Sequence, residues 1–193
     1  MKTNGVNCGI MDQFASAMGK KDCAIFLNTG SLEFAYAPIK LNGAKIVVTN
    51  TNKPHSLADS KYNERRHQAE VVFADIKTVK PNLKNLCDLS LEEFYQIGNV
   101  IKDPTGWRRA KHAVSENERV LKAVDVLKQG KIYDFGDLMN AAGESIRFDY
   151  EATCYEQDVL VDASRLQNGV VGVRMTGNGM GSLRNRGVCG RWC

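Results

Sequence analysis

The chain has 193 residues, 43% of them apolar and 25% charged, with a net charge of +4. That mixture excludes a disordered or collagen-like chain, the length suffices for a core without disulfides or metal, and no apolar run approaches the ~18–20 residues of a membrane span. Arg184, Arg186 and Arg191 crowd the C-terminal end, so the remainder is nearly neutral and offers no nucleic-acid-binding face.

In chain order, Ile10, Met11, Phe14 and Met18 recur at helical spacing and the pattern stops at Gly19, which predicts a first short helix. Residues 23–27 and 32–37 read as two strands joined by the turn Asn28-Thr29-Gly30, and 45–49 (KIVVT) as a third. From about 57 to 79 the apolar residues Tyr62, Ala69, Val72, Phe73, Ile76 and Val79 share one helical face. Within it Arg65-Arg66-His67 lies between Glu64 and Glu70, which reads as a solvated surface. Ser90-Leu91-Glu92-Glu93 is a capping box opening a helix to about Val100. Residues 111–128 carry Val114, Leu121, Val124 and Leu127 on one face, with Glu118 and Lys122 as a supporting pair one turn apart. A further helix spans 134 to about 146. Thr153 and Glu156 form a second capping box, for a helix ending at Asn168-Gly169. Residues 170–175 read as a closing strand, which runs into Thr176-Gly177-Asn178-Gly179-Met180-Gly181. Strands followed by stacked helices predict an α+β fold, helices packed on an antiparallel sheet.

Six cysteines lack any Cys-x-x-Cys pair, and His55, His67 and His112 share no ligand spacing, so neither a disulfide framework nor a metal site is expected. The opening Met1-Lys2-Thr3-Asn4-Gly5 has no apolar stretch behind its lysine, so no export signal is read there and a cytoplasmic location is expected.

Three places could carry chemistry. Asp12 is a lone carboxylate in an otherwise apolar helix start, where the helix dipole favours an anion and a general base could act on a hydroxyl. Spacing alone favours a solvated helix residue. Tyr62 opens a long helix and could offer its hydroxyl to a polar ligand, although a core aromatic with a wet tip fits the same pattern. The alternating glycines 177, 179 and 181 could let backbone amides converge on an anion, but the run is neither G-x-G-x-x-G nor followed by a phosphate-loop Lys-Ser. Taken alone, these residues go no further than an α+β domain with a small polar-ligand site.

A resemblance goes further. Gly5-Val6-Asn7-Cys8-Gly9-Ile10-Met11-Asp12-Gln13-Phe14 closely resembles the stretch around the catalytic aspartate of galactokinases, members of the sugar and mevalonate kinase (GHMP) superfamily. Three later passages agree in the family's order: Asn50-Thr51-Asn52 through Ser60-Lys61-Tyr62-Asn63-Glu64-Arg65-Arg66; the R-x-x-H-x-x-x-E-N pattern of Arg109, His112, Glu116 and Asn117; and Gly172-Val173-Arg174-Met175-Thr176-Gly177. The resemblance implies ATP- and Mg2+-dependent phosphorylation of galactose on its anomeric hydroxyl, with Asp12 as base or orienting group. It further implies that the Gly9 backbone and the Tyr62 hydroxyl contact the sugar, and that the turn bearing Thr176, Gly177 and Gly179 lies beside the transferred phosphoryl.

The family's upstream sugar signature, phosphate loop and magnesium-binding side chains have no counterpart in these 193 residues, and Asn178 and Met180 stand where the family usually has Gly and Phe. The expected organisation is therefore residues 1–21 as a remnant of the nucleotide-side domain carrying Asp12, 22–181 as a GHMP-type substrate-side domain, and 182–193 as an aberrant, disordered tail. On this reading the chain alone is inactive, no metal ligand is assigned, galactose is the partner, and an unpaired sheet edge favours self-association. A galactose-sensing module and an N-acetylgalactosamine kinase are the alternatives within the same resemblance.

Overall fold

The computed structural model describes residues 10–52 and 62–176. Helix α1 (Met11–Met18) leads into strands β1 (Cys23–Leu27) and β2 (Phe34–Pro38), which pair antiparallel with Cys23 opposite Pro38 and Leu27 opposite Phe34. Asn28 closes the hairpin by accepting from the Gly30 and Ser31 amides at 2.9 and 3.1 Å. Leu32 sits in the left-handed region at φ 62°, so β2 starts two residues later than the hydrophobic pattern suggests.

The expected strand over 45–49 does not form. Ile46, Val47 and Val48 are 48%, 81% and 52% exposed, and β-branched side chains hold a strand only against a ladder partner. The helical half is closer to expectation. Helix α2 (Tyr62–Lys77) buries Val72 and Ile76, while Val79 falls beyond its end. The part of that helix expected before 62, like the tail over 182–193, lies outside the described residues.

The capping box forms as read: in front of α3 (Leu91–Ile97) the Ser90 hydroxyl accepts from the Glu93 amide and the Glu93 carboxylate from the Ser90 amide, at 3.2 and 3.0 Å. Helix α4 (Pro104–Lys128) starts seven residues earlier than its apolar face suggests, because Asp103 caps it by accepting from the Thr105 and Gly106 amides and Pro104 occupies the first helical position. Helix α5 (Ile132–Glu144) runs into a π-turn, Ser145–Tyr150, that ends with Glu151 left-handed at φ 51°. The last helix, α6 (Tyr155–Arg165), takes Gln157 rather than Glu156 as the residue that reaches back, bonding the Cys154 amide at 3.3 Å; the predicted box is off by one.

Helix α4 is the axis of the domain, packing against α2, α3, α5, the π-turn and β2. Val72 and Ile76 from α2, Leu89, Phe94 from α3, Ile101, and Ala110 and Val114 from α4 make one continuous apolar core. The result is an α+β fold with a two-stranded antiparallel sheet among the described residues. Residues 170–175, expected as a closing strand, pair with no strand among the described residues. They lie along α5 instead, where the Gly172 and Gly136 backbones approach so closely that a Cβ on Gly172 would stand 2.5 Å from the Gly136 carbonyl oxygen. No described helix is long and apolar enough to cross a membrane.

Candidate functional site

Asp12 occupies the first turn of α1, and its side chain is exposed with no hydrogen bond or ion pair among the described residues. The helix itself buries no residue completely. It is held to the hairpin by Phe14, whose ring meets Phe34 edge-on at 5.3 Å, and by the Tyr36 hydroxyl, which donates to the Met18 carbonyl at 2.8 Å. Tyr62 is the first residue of α2. Thr176 is exposed at the end of the run lying along α5. Gly9, Gly177 and Gly179 lie outside the described residues. No described contact joins Asp12, Tyr62 and Thr176.

The structure adds a polar cluster buried along α4, where the Arg109, His112 and Glu116 side chains face the π-turn and the 170–176 run. Arg109 is 2% exposed; it donates to the Asp149 carbonyl and pairs with Glu151, and its guanidinium lies 5.9 Å from the Tyr150 ring centre. Lys111 pairs with Asp149 at 2.9 Å. The Ser145 hydroxyl lies 2.9 Å from His112 Nδ1 and gives its one proton to Asp149 at 3.1 Å. Nδ1 must therefore be the protonated nitrogen of His112, donating to Ser145. Burial first, then Arg119, Arg174 and Arg109, push His112 down to about 3 against the opposing pull of Asp149. It stays neutral at physiological pH and serves as a hydrogen-bond donor, not a proton carrier.

One turn further along α4, Glu116 is 3% exposed and holds two guanidiniums, Arg119 from its own helix and Arg174 at 3.2 Å from the 170–176 run. Arg119 also donates to Ser115 Oγ at 2.9 Å. Asn117 donates to the Cys87 carbonyl at 2.9 Å, and Glu118 accepts from the Leu91 amide at 2.8 Å, tying α4 to the start of α3. The R-x-x-H-x-x-x-E-N pattern is thus a set of crosslinks from one helix to the segments packed around it. The sequence carried this only as spacing: Arg109, His112 and Glu116, three, four and seven apart, share one face of α4, on the far side of the helix from the apolar Ala110 and Val114.

Among the described residues no group of three or more His, Cys, Asp or Glu side chains stands together to hold a metal ion. Among the described residues, Cys23, Cys87 and Cys154 form no disulfide with one another.

No family model matches the chain. Over 177 residues, 92% of its length, it is 51% identical to the galactokinase of Clostridium beijerinckii and 50% identical to that of Clostridium acetobutylicum, covering 45% of each. The crystal structure of Lactococcus lactis galactokinase complexed with galactose superimposes with a TM-score of 0.87 at 41% identity, over 92% of this chain and 46% of that one. The chain therefore spans less than half the length of the relatives it matches.

Proposed function

We propose that this chain, which belongs to the galactokinase family over the span it shares with those relatives, is the sugar-side part of a kinase that phosphorylates galactose in the cytoplasm. The observation that carries this reading is the 0.87 TM-score at 41% identity to a galactokinase solved with galactose, from a chain that holds the family's aspartate stretch at residues 5–14.

In the reaction the anomeric oxygen of galactose bonds to the γ-phosphorus of ATP as the bond to the ADP oxygen breaks, and Asp12 orients the hydroxyl and accepts its proton. The Gly9 backbone and the Tyr62 hydroxyl hold the sugar, while Thr176, Gly177 and Gly179 lie beside the phosphoryl group. Ile10, Met11 and Phe14 keep water from the transferred group, which limits hydrolysis of ATP. ATP and magnesium are the co-reactants this reading requires. The described residues do not fit a magnesium site.

Residues 1–21 then belong with the nucleotide-side domain and 22–181 form the substrate-side domain. The exposed apolar run Ile46, Val47 and Val48 supports self-association of the chain by itself.

The test is a full-length chimera in which this chain's shared segment replaces the corresponding part of the Clostridium beijerinckii galactokinase. The chimera is expected to form galactose 1-phosphate from galactose, ATP and magnesium, whereas the 193-residue chain alone does not. Asp12→Asn in the chimera should abolish turnover and keep galactose binding. A folded chimera without activity on galactose, or one that prefers N-acetylgalactosamine, refutes the assignment.

A further inference from the structure

We propose that Arg174 is a positioning residue, which uses the buried Arg119–Glu116 pair as an anchor to fix the backbone leading to Thr176. This rests on the kinase reading above, in which Thr176 lies beside the transferred phosphoryl.

Among the described residues the run from 170 to 176 has no sheet partner to define its path. It is held instead at separate points. Gly172 packs against the Gly136 backbone, the Val173 amide donates to Asn140 Oδ1 at 2.9 Å, and Arg174 reaches Glu116 at 3.2 Å. Arg174 is the last of these before Thr176, and it does two things at once. Its Nη1 donates to Glu116, and its Nε donates to the Met175 carbonyl at 3.1 Å. A carboxylate on α4, a guanidinium and the carbonyl two bonds from the Thr176 nitrogen are thereby joined in series.

The charge balance separates positioning from stability. Side chains of Glu116 and Arg174 are 4% and 8% exposed, and burying ions is costly unless their pairing is good. Arg119 already neutralises Glu116 from within α4. Arg174 is the second cation on one carboxylate, so charge neutrality does not require it. What it adds is a link between residues 58 apart in sequence. Removing it leaves a complete Arg119–Glu116 pair in the core. Removing Glu116 instead leaves two guanidiniums facing each other, which makes Glu116→Gln a folding variant and Arg174→Met the informative one.

In the active chimera, Arg174→Met should lower kcat by about 10²-fold, the cost of a displacement near 1 Å beside the chemistry, with KM for galactose changed less than about threefold. Arg174→Lys, which restores a cation but not the fork to Glu116 and Met175, should recover part of that loss. In the 193-residue chain, backbone 15N order parameters at Met175 and Thr176 should fall from the rigid range, about 0.85, to below about 0.6 in Arg174→Met. Those of the core around Phe94 should not change. Unchanged kcat in the chimera overturns the proposal, as does a large fall in Tm with kcat per folded molecule intact, and so do unchanged order parameters. If the parent chimera is inactive, the kinase reading fails on its own, and the order parameters still decide whether Arg174 holds the run.

Discussion

His112 should make the domain acid-sensitive well above the pH at which carboxylates titrate. Its ring faces Ser145, Asp149 and Tyr150 from the π-turn, Arg109 and Arg119 on its own helix, and Arg174 from the 170–176 run, with Lys111 paired to the same Asp149. Folding shifts it from the ordinary 6.5 to about 3. Between those values the unfolded chain binds a proton that the folded chain does not, so stability is fully present above about pH 6.5 and is lost as the pH falls towards 3. From pH 7 to pH 5 the loss spans about 1.5 pH units of that window, or about 2 kcal/mol. Urea unfolding of the wild type and of His112→Asn at both pH values measures it. The asparagine amide keeps a donor towards Ser145 but cannot titrate. The variant will be less stable at pH 7 because it loses the ring packed at 4.8 Å on Tyr150. The gap between the two proteins should then narrow by about 2 kcal/mol at pH 5. A gap independent of pH would show that His112 is not buried neutral among these cations.

Gly172→Ala should cost about 1–3 kcal/mol in denaturant unfolding, since the added methyl would stand 2.5 Å from the Gly136 carbonyl oxygen and backbone cannot rotate away as a side chain can. Asp103→Ala should cost about 1–2 kcal/mol by the same measurement, because it leaves the Thr105 and Gly106 amides of α4 without their acceptors. Asp12→Asn in the 193-residue chain should change Tm by less than about 1 °C, the behaviour of an exposed side chain without a partner among the described residues, so its loss of turnover in the chimera cannot be traced to unfolding.

What was legible in the sequence was local. The Ser90–Glu93 box, the Asn28 turn and the Val72–Ile76 part of the apolar face of α2 depend on neighbours within a few residues, and these are found. Asp103-Pro104 was equally local, and reading it as a cap and first helical position would have placed the start of α4 correctly. The strands expected at 45–49 and 170–175 fail for a different reason. Their β-branched composition states a preference that only a hydrogen-bonded neighbour can realise, and sequence does not reveal whether one is present. The buried cluster on α4 was hidden by the ordinary expectation that charges face water. Glu118 does pair loosely with Lys122 at 3.8 Å, as an exposed helix pair should, yet it also accepts from the Leu91 amide across the core edge. Glu116, two residues earlier, is nearly inaccessible. Of the residues the family resemblance marks, Asp12 and Thr176 have described side chains and Tyr62 has a described backbone, while the motif centred on α4 is the part whose physical purpose the fold explains.

The π-turn places a constraint on chain length. Over Ser145–Tyr150 the helix is wound one residue wider than an α-helix. That winding presents Ser145 to His112, the Asp149 carboxylate to Lys111 and the Asp149 carbonyl to Arg109. Substitutions on its outer side, such as at Phe148, which is 58% exposed, leave those bonds alone. Deleting a single residue would not. It would tighten the winding, rotate the downstream backbone by about 100° about the helix axis, and carry Glu151 away from a guanidinium that has no solvent to turn to. Gaps and insertions between α5 and α6 are therefore excluded where amino-acid changes are not, so the spacing from 145 to 151 is set by geometry before any side chain in it is chosen.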